Sequence, residues 1–361
     1  MGARVMILAG GTGGHVYPAL AVAQELLSGG HEVIWMGTRT GLEARVVPAA
    51  GIPMEWLSVS GLRGKGWRGK LSAPLMLLRA CWQALSILRR SKPQVVLGMG
   101  GFVSGPGGLL ARALGIPLVL HEQNRIPGTT NRWLSRWANA VLEAFPESFP
   151  KEVGARCVGN PLRREIVARG QGPAAKGTSS ALPATRILIV GGSLGAKALN
   201  EAVPEALALS GLPLQIRHQT GAAMQAETQE RYVRHGLDAE VMAFVEDMAE
   251  AYSWADLAIC RAGAMTVSEL SATGVPAVLV PFPFAIDDHQ THNARYLAES
   301  QAAVLLPQTE LTPERLAREI QSLANDPARL ASMKARAIAL AQPQAARTVA
   351  DICLSTRTND H

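Results

Sequence analysis

Residues Asp256–Pro283, DLAICRAGAMTVSELSATGVPAVLVPFP, decide the fold. The apolar run Leu257–Cys260 predicts a strand, Arg261–Ala264 a glycine turn and Met265–Ala272 a helix. Thr273–Pro276 then reads as a second turn and Ala277–Val280 as a strand. Gly263, just ahead of the helix, lets a ligand approach the backbone. The N–H groups of the first helical turn face such a ligand, and the helix dipole favours negative charge there. Arg261 adds a formal positive charge. Glu269 falls about one and a half turns into the helix. A carboxylate there is badly placed for phosphate and well placed for the vicinal hydroxyls of a sugar. A nucleoside diphosphate meets both conditions, with phosphate at the helix end and ribose at Glu269. An ordinary strand–helix–strand unit with a structural glycine fits the same pattern.

The surrounding chain repeats the scheme. Arg186–Val190 is an apolar strand followed by Gly191-Gly192-Ser193-Leu194-Gly195, which echoes Arg4–Ala9 and Gly10-Gly11-Thr12-Gly13-Gly14-His15 about half a chain earlier. Leu214–Gln219, Glu240–Phe244 and Ala303–Leu306 continue as strands, and Thr312–Asn325 and Pro327–Leu340 as helices. In the first half, Pro18–Leu27 reads as a helix, and Glu32–Met36, Met54–Val59, Gln94–Gly98, Pro117–His121, Ala140–Phe145 and Arg156–Val158 as strands. Gly98–Gly108 is a second glycine loop leading into a helix at Leu109–Leu114. Short, fully apolar strands alternating with helices predict buried parallel sheets. Gly159–Arg163 breaks the pattern, and Gly170–Thr185 (GQGPAAKGTSSALPAT) has a linker's composition. The expected class is α/β: two Rossmann-like domains, residues 1–162 and 163–341, facing across a cleft. A polar tail, 342–361, is expected to pack back on the first domain.

Length and composition narrow the function. A chain of 361 residues exceeds one ordinary core. A net charge of +6 and a pI near 9.4 point to nucleic acid, anionic membrane or phosphorylated ligands. With no nucleic-acid motif and no long Lys/Arg run, nucleic acid is not an expected partner. Cys81, Cys157, Cys260 and Cys353 are widely spaced, as free thiols in a reducing compartment would be. No segment reaches the roughly 18 apolar residues of a membrane span, and Met1–Ala9 lacks a signal-peptide core. A GxGxxG fingerprint on Gly11 and Gly13 fails at Val16, so a dinucleotide is a weak expectation.

Three further features carry chemistry. His15 stands at a loop-to-helix junction above the carboxyl end of the sheet, where a histidine serves as general base or merely as a polar cap. His121-Glu122-Gln123-Asn124 ends a strand at the same crevice. Leu71–Leu88 predicts a helix whose apolar side chains run almost all the way round, leaving a narrow strip at Ser72, Arg79, Gln83 and Arg90. Its surplus, including Leu75, Met76, Trp82 and Ile87, is flanked by Arg68, Lys70, Arg89, Arg90 and Lys92, which suits an anionic bilayer surface. A helix buried between sheet and loop is the alternative.

As a set, Gly11–His15 (GTGGH), Gly100–Pro106 (GGFVSGP), His121–Asn124 (HEQN), Gly159–Arg163 (GNPLR), Gly191–Gly195 (GGSLG), Ala264–Glu269 (AMTVSE) and Asp288–Asn293 (DHQTHN) closely resemble the MurG family. The motifs run in order over nearly the whole chain. The resemblance implies the two-domain GT-B plan and an inverting transfer of N-acetylglucosamine. The donor would be UDP-N-acetylglucosamine. The acceptor would be the 4-hydroxyl of the muramoyl sugar on undecaprenyl-pyrophosphate (lipid I), and the product the β-1,4-linked lipid II. The enzyme would act as a peripheral protein on the cytoplasmic face of the cell membrane.

Inversion by direct displacement needs a base on the acceptor hydroxyl; His15 is the candidate and Glu122 its rival. The resemblance implies that Ser193 and Arg163 bind phosphate or nucleotide and that the Val245 backbone meets uracil. Ala264, Met265, Thr266, Val267 and Ser268 would lie along the diphosphate, with Glu269 on the ribose. Gln290 and Asn124 would recognise the N-acetylglucosamine, Thr12, Gly13 and Gly14 would line the junction of donor and acceptor, and Gly101, Ser104 and Gly105 would meet the acceptor. Met265 stands where the family often has leucine, a change that a backbone contact survives. Asp287-Asp288 is not the Asp-x-Asp of metal-dependent transferases. Neither a metal nor a cofactor is expected, the donor being a substrate. A transferase for another acceptor, an epimerase and a non-catalytic sugar-nucleotide binder are the rival readings.

Overall fold

A computed structural model of the chain describes residues 2–58, 67–171, 184–192 and 195–357. The chain divides into two compact units, Met1–Arg163 with Gln342–His361, and Arg164–Ala341.

Unit 1 runs β1 (Arg4–Leu8), α1 (Gly13–Ser28), β2 (Glu32–Gly37), α2 (Glu43–Ala49), β3 (Met54–Trp56), α3 (Trp67–Ser91), β4 (Val95–Gly98), α4 (Ser104–Ala113), β5 (Leu118–Glu122), α5 (Thr129–Leu134), β6 (Ala140–Glu143) and β7 (Arg156–Cys157). Among the described residues these strands form one parallel sheet in the order β3-β2-β1-β4-β5-β6-β7. Successive side chains of a strand point to opposite faces, so an all-apolar strand serves two cores. Val5 and Ile7 pack with Val16, Ala19 and Val22 of α1. Met6 and Leu8 pack on the other face with Ala80, Ala84 and Ile87 of α3.

Unit 2 runs α6 (Arg164–Gln171), β8 (Thr185–Val190), α7 (Lys197–Ser210), β9 (Leu214–Gln219), α8 (Gln225–Arg234), β10 (Glu240–Met242), α9 (Met248–Trp254), β11 (Leu257–Cys260), α10 (Ala264–Thr273), β12 (Ala277–Leu279), α11 (His289–Glu299), β13 (Ala303–Leu305), α12 (Pro313–Ala324) and α13 (Pro327–Ala339). Its sheet is also parallel, ordered β10-β9-β8-β11-β12-β13. Ile187, Ile189, Leu257 and Ile259 join Leu199 and Val203 of α7 and Leu316 and Ile320 of α12 in one core.

The structure corrects several readings. The tail is an amphipathic helix, α14 (Ala345–Thr356), with Val349, Ala350 and Cys353 in the α1-side core of unit 1. Arg163 groups with unit 1, one residue from the expected boundary. Helix α1 starts five residues ahead of Pro18, which lies inside it. Helix α4 starts at Ser104, so Gly105–Gly108 are helical. Their glycines serve close packing: a Cβ on Gly107 would stand 2.8 Å from Leu8 Cδ1, and one on Gly108 2.9 Å from Leu134 Cδ1. Ile87 is core, 5% exposed, whereas Leu75 (73%), Leu77 (40%), Leu78 (67%) and Trp82 (71%) are the exposed large apolar residues of α3 among the described side chains. Met76 is half-buried and Arg79 exposed; the side chains of Arg68 and Lys70 lie outside the described residues. Among the described residues no helix is long and apolar enough to cross a membrane.

Candidate active site

In each sheet the strand order reverses beside the first strand, between β1 and β4 and between β8 and β11. Loops at the carboxyl ends of those strands form the crevice that α/β folds use for ligands.

In unit 1, α1 opens on Thr12, whose carbonyl accepts from the N–H groups of His15 (3.1 Å) and Val16 (3.2 Å). Gly13 and Gly14 form the first turn and His15 follows, half-buried. His15 Nδ1 lies 2.7 Å from Gln123 Oε1. Gln123 Nε2 lies 3.0 Å from both His121 Nδ1 and the His121 carbonyl, and His121 Nε2 lies 2.9 Å from the Gly159 carbonyl. Both His121 and Gln123 are buried. Burial pulls the His121 pKa down to about 4, against a smaller opposing effect of its bond to Gly159, so the ring is neutral near pH 7. Gly100, at φ +96°, borders the His15 ring; a Cβ there would come within 2.9 Å of it.

Glu43, which the sequence did not single out, anchors the first glycine loop. Its buried carboxylate accepts from Gly11 N (2.9 Å), Thr38 N (2.9 Å) and Thr38 Oγ1 (2.7 Å). Gly10, Gly37 and Gly41 make room for it: a Cβ at any of them would stand within 2.8 Å of its side chain.

Three of the expected site residues are engaged internally. Glu122 is 1% exposed. Its Oε1 accepts from the backbone and side-chain nitrogens of Asn124 (3.0 and 3.2 Å), and its Oε2 from Gly128 N (3.0 Å) and Asn131 Nδ2 (2.9 Å). A buried carboxylate held by those donors orders its loop. Asn124 is correspondingly turned onto Glu122. Ser104 is fully buried; its Oγ lies 3.0 Å from the Leu8 carbonyl and 2.8 Å from the Gly100 carbonyl, and accepts from Gly100 N, so it ties β1 to the second glycine loop. Gly101 lets the two glycine loops touch, since a Cβ there would lie 2.5 Å from the Gly10 carbonyl. Gly105, in the first turn of α4, has no such neighbour closer than Thr130 Cγ2 at 3.7 Å. Arg163 is half-buried, its guanidinium 5.4 Å over the Tyr17 ring of α1.

In unit 2 the corresponding crevice of its own sheet opens into a cavity of about 610 Å³, lined by Gly191, Lys197, Arg261, Thr266, Gln290 and Gln308 among others. That volume suits a small-molecule ligand. The Arg261 guanidinium is held from behind, Nη1 donating to the Val280 and Pro281 carbonyls (3.1 and 3.2 Å) and Nη2 to Gln308 Oε1 (2.6 Å). Burial lowers its pKa. Gln290 Oε1 accepts from Phe282 N at 2.9 Å. Ser193 lies outside the described residues. A larger cavity, about 770 Å³, is lined by Thr185, Asp256 and Pro276, at the amino ends of the strands and away from the crevice.

The remaining donor residues except Val245 sit on α10, which begins at Ala264 on extended Gly263. Ala264 is buried, Met265, Thr266 and Ser268 half-buried. The Val267 side chain is wholly buried and its N–H donates to the Gly263 carbonyl at 3.0 Å, inside the helix. Glu269 is 8% exposed, and its Oε2 accepts from Tyr252 Oη at 3.1 Å. Val245 is buried beside exposed Phe244.

Two family models match the chain: the N-terminal domain of glycosyltransferase family 28 over residues 5–143 and the C-terminal domain over residues 186–349. A Methylococcus capsulatus protein is 63% identical over 355 residues, covering 98% of this chain and 99% of its own. Its name is UDP-N-acetylglucosamine–N-acetylmuramyl-(pentapeptide) pyrophosphoryl-undecaprenol N-acetylglucosamine transferase. The chain belongs to the MurG family. The crystal structure of Acinetobacter baumannii MurG, 43% identical, superposes with a TM-score of 0.82 over 98% of this chain and 99% of that one. The kitacinnamycin glycotransferase, at 18% identity and a TM-score of 0.72 over 99% and 100% of the two chains, shares the fold alone. Membership makes the chain a glycosyltransferase of GT-B architecture. The glycine loops and the α10 turn of this chain are each the carboxyl-end loop of a strand at a sheet's switch point.

Proposed function

We propose that this chain transfers N-acetylglucosamine from UDP-N-acetylglucosamine to the 4-hydroxyl of the muramoyl sugar of lipid I, giving lipid II. The observation that carries the reading is the 63% identity, end to end, with the Methylococcus capsulatus transferase. The donor diphosphate would meet Arg261 and the Gly263–Thr266 turn, and the ribose Glu269. His15 Nε2 would take the acceptor proton as O4 attacks the anomeric carbon and the carbon–oxygen bond to UDP breaks. UDP leaves without needing a proton, its charge met by Arg261 and the α10 dipole rather than by a metal. Incubation with UDP-N-acetylglucosamine and a short-chain lipid I should yield the disaccharide-lipid and UDP, with or without EDTA. Epimerised donor, transfer only to a soluble acceptor, or donor binding with no turnover would each replace this reading with a rival.

The acceptor's prenyl chain calls for peripheral attachment at the cytoplasmic face of an anionic membrane. Leu75, Leu78 and Trp82 share one face of α3 beside exposed Arg79. Exposed Trp133 and Trp137, with Arg132 and Arg136, lie on and just after α5, and both α3 and α5 pack against α4. Leu75→Glu with Trp82→Glu should weaken binding to anionic vesicles about tenfold or more and leave the fold intact. Ile87→Glu should instead unfold unit 1. Unchanged vesicle binding by the folded double variant would place attachment elsewhere.

A further inference from the structure

The groups behind His15 dictate which of its ring nitrogens carries the proton. A carbonyl oxygen can only accept a hydrogen bond. His121 Nε2, 2.9 Å from the Gly159 carbonyl, is therefore the protonated nitrogen of that ring. In a neutral imidazole the other nitrogen, Nδ1, is then an acceptor. Gln123 Nε2 sits 3.0 Å from this Nδ1 and 3.0 Å from the His121 carbonyl, so its two N–H groups have two acceptors. Turning the amide over would set its oxygen against both of them, which fixes its orientation. The Gln123 oxygen then faces His15 Nδ1 at 2.7 Å and can only accept. His15 Nδ1 is the donor, and the lone pair of the neutral ring is on Nε2.

We propose that Gln123, oriented by His121 and by the Gly159–Asn160 turn, is a positioning residue that locks His15 in the Nδ1–H tautomer and leaves Nε2 to receive the acceptor's proton. This rests on the reading of His15 as base. The turn contributes twice. Gly159, at φ +82°, supplies the terminal carbonyl, and Asn160 Nδ2 donates to the Gln123 carbonyl at 3.0 Å. The relay thus joins HEQN to GNPLR. It orients and does not conduct. As O4 attacks and the bond to UDP breaks, the acceptor proton moves to His15 Nε2. The Nδ1 proton stays on the ring, because an amide oxygen is too weak a base to remove it. The imidazolium charge is met by the Gln123 oxygen, and the new proton leaves from Nε2.

Long-range proton–nitrogen spectra of the full chain labelled with ¹⁵N-histidine, at alkaline pH, test this, with His15 assigned by its loss in His15→Ala. The expected result is a protonated Nδ1 and a bare Nε2 on His15. Gln123→Met should abolish that preference and lower kcat about 10–100-fold, with the donor KM within about twofold. A proton on Nε2 of His15 in the unaltered chain would overturn the proposal, as would Gln123→Met with a lost preference and unchanged kcat. Should Gln123→Met fail to fold, the spectrum of the unaltered chain decides alone. A normal rate from His15→Ala would reject the base reading, while the spectrum would still report the relay.

Discussion

The two switch points share a topology and a glycine-loop sequence, yet differ in how much open space borders their polar side chains. In unit 1, Glu43, Ser104, His121, Glu122 and Gln123 are buried and bonded to the loops themselves. The result is a rigid frame around one half-buried histidine. In unit 2, Lys197, Arg261, Thr266 and Gln290 line an open cavity. A buried polar group must find a partner within the protein or in a ligand. In unit 1 those partners come from the loops around His15; in unit 2, Arg261 and Gln290 have partners behind them and still border a cavity that a substrate can fill. The frame suits chemistry, which needs one atom held in one place, and the cavity suits binding.

The largest expected effect that sharpens the contrast is on stability. Glu43→Ala leaves amide donors without their carboxylate and opens a void, and should cost roughly 2–4 kcal/mol. Lys197→Ala, at a side chain 79% exposed on the rim of the other site, should change stability by less than about 0.5 kcal/mol. Chemical denaturation of the two variants compares them, and equal losses would erase the distinction. Next comes binding. Glu269→Ala should weaken donor binding by roughly 1.5–3 kcal/mol, read by calorimetric titration, and Tyr252→Phe by about 0.5–1.5 kcal/mol through loss of the bond that orients Glu269. An unchanged affinity in Glu269→Ala would remove that carboxylate from the ribose.

The most gradual effect is pH dependence, spread over several pH units, to which each unit contributes one buried histidine among the described residues. His218 lies between Tyr232 Oη (2.9 Å) and Asn200 Oδ1 (3.1 Å), and burial pushes its pKa down to about 3 from 6.5. His121 is held at about 4. Below pH 6.5 the unfolded chain takes up protons that these folded sites refuse. Their contribution to stability is full above that pH and falls as the pH drops, to about 4 for unit 1 and about 3 for unit 2. The slope is at most about 1.4 kcal/mol per pH unit for each histidine. A denaturation midpoint that stays flat on acidification through this range would contradict the burial argument. His218→Gln should flatten the part due to unit 2.

Much of this architecture was legible in the chain. Leu214–Gln219 and Leu257–Cys260 are strands with the bounds their apolar runs suggest. The Gly191 echo of Gly10 marks the second switch point. Helices with little apolar periodicity escaped notice: α8 buries only Thr228 and Tyr232 among its residues and holds an Arg231–Glu227 pair on its surface. Glycine misled at α4, where Gly107 and Gly108 permit close packing rather than a turn. At the site, the signal was strong for residues inside motifs and absent for those whose partners are remote in sequence. Glu43 meets Gly11 across 32 positions, and Arg261 meets Gln308 across 47. Glu122 and Ser104 lie in motifs as well, and only their buried partners reveal that they brace the loops.

A double-mutant cycle tests the division of labour most directly. Transfer to a short-chain lipid I, measured for His15→Ala, Glu269→Ala and the combined variant, gives their coupling at saturating and at limiting donor. If one unit holds the base and the other the donor, His15→Ala should lower kcat about 10²–10⁴-fold in either background. The two losses in kcat/KM should then add within about 0.5 kcal/mol. A His15→Ala variant that loses donor affinity in step with Glu269→Ala, or a coupling well above about 1 kcal/mol, would contradict the account.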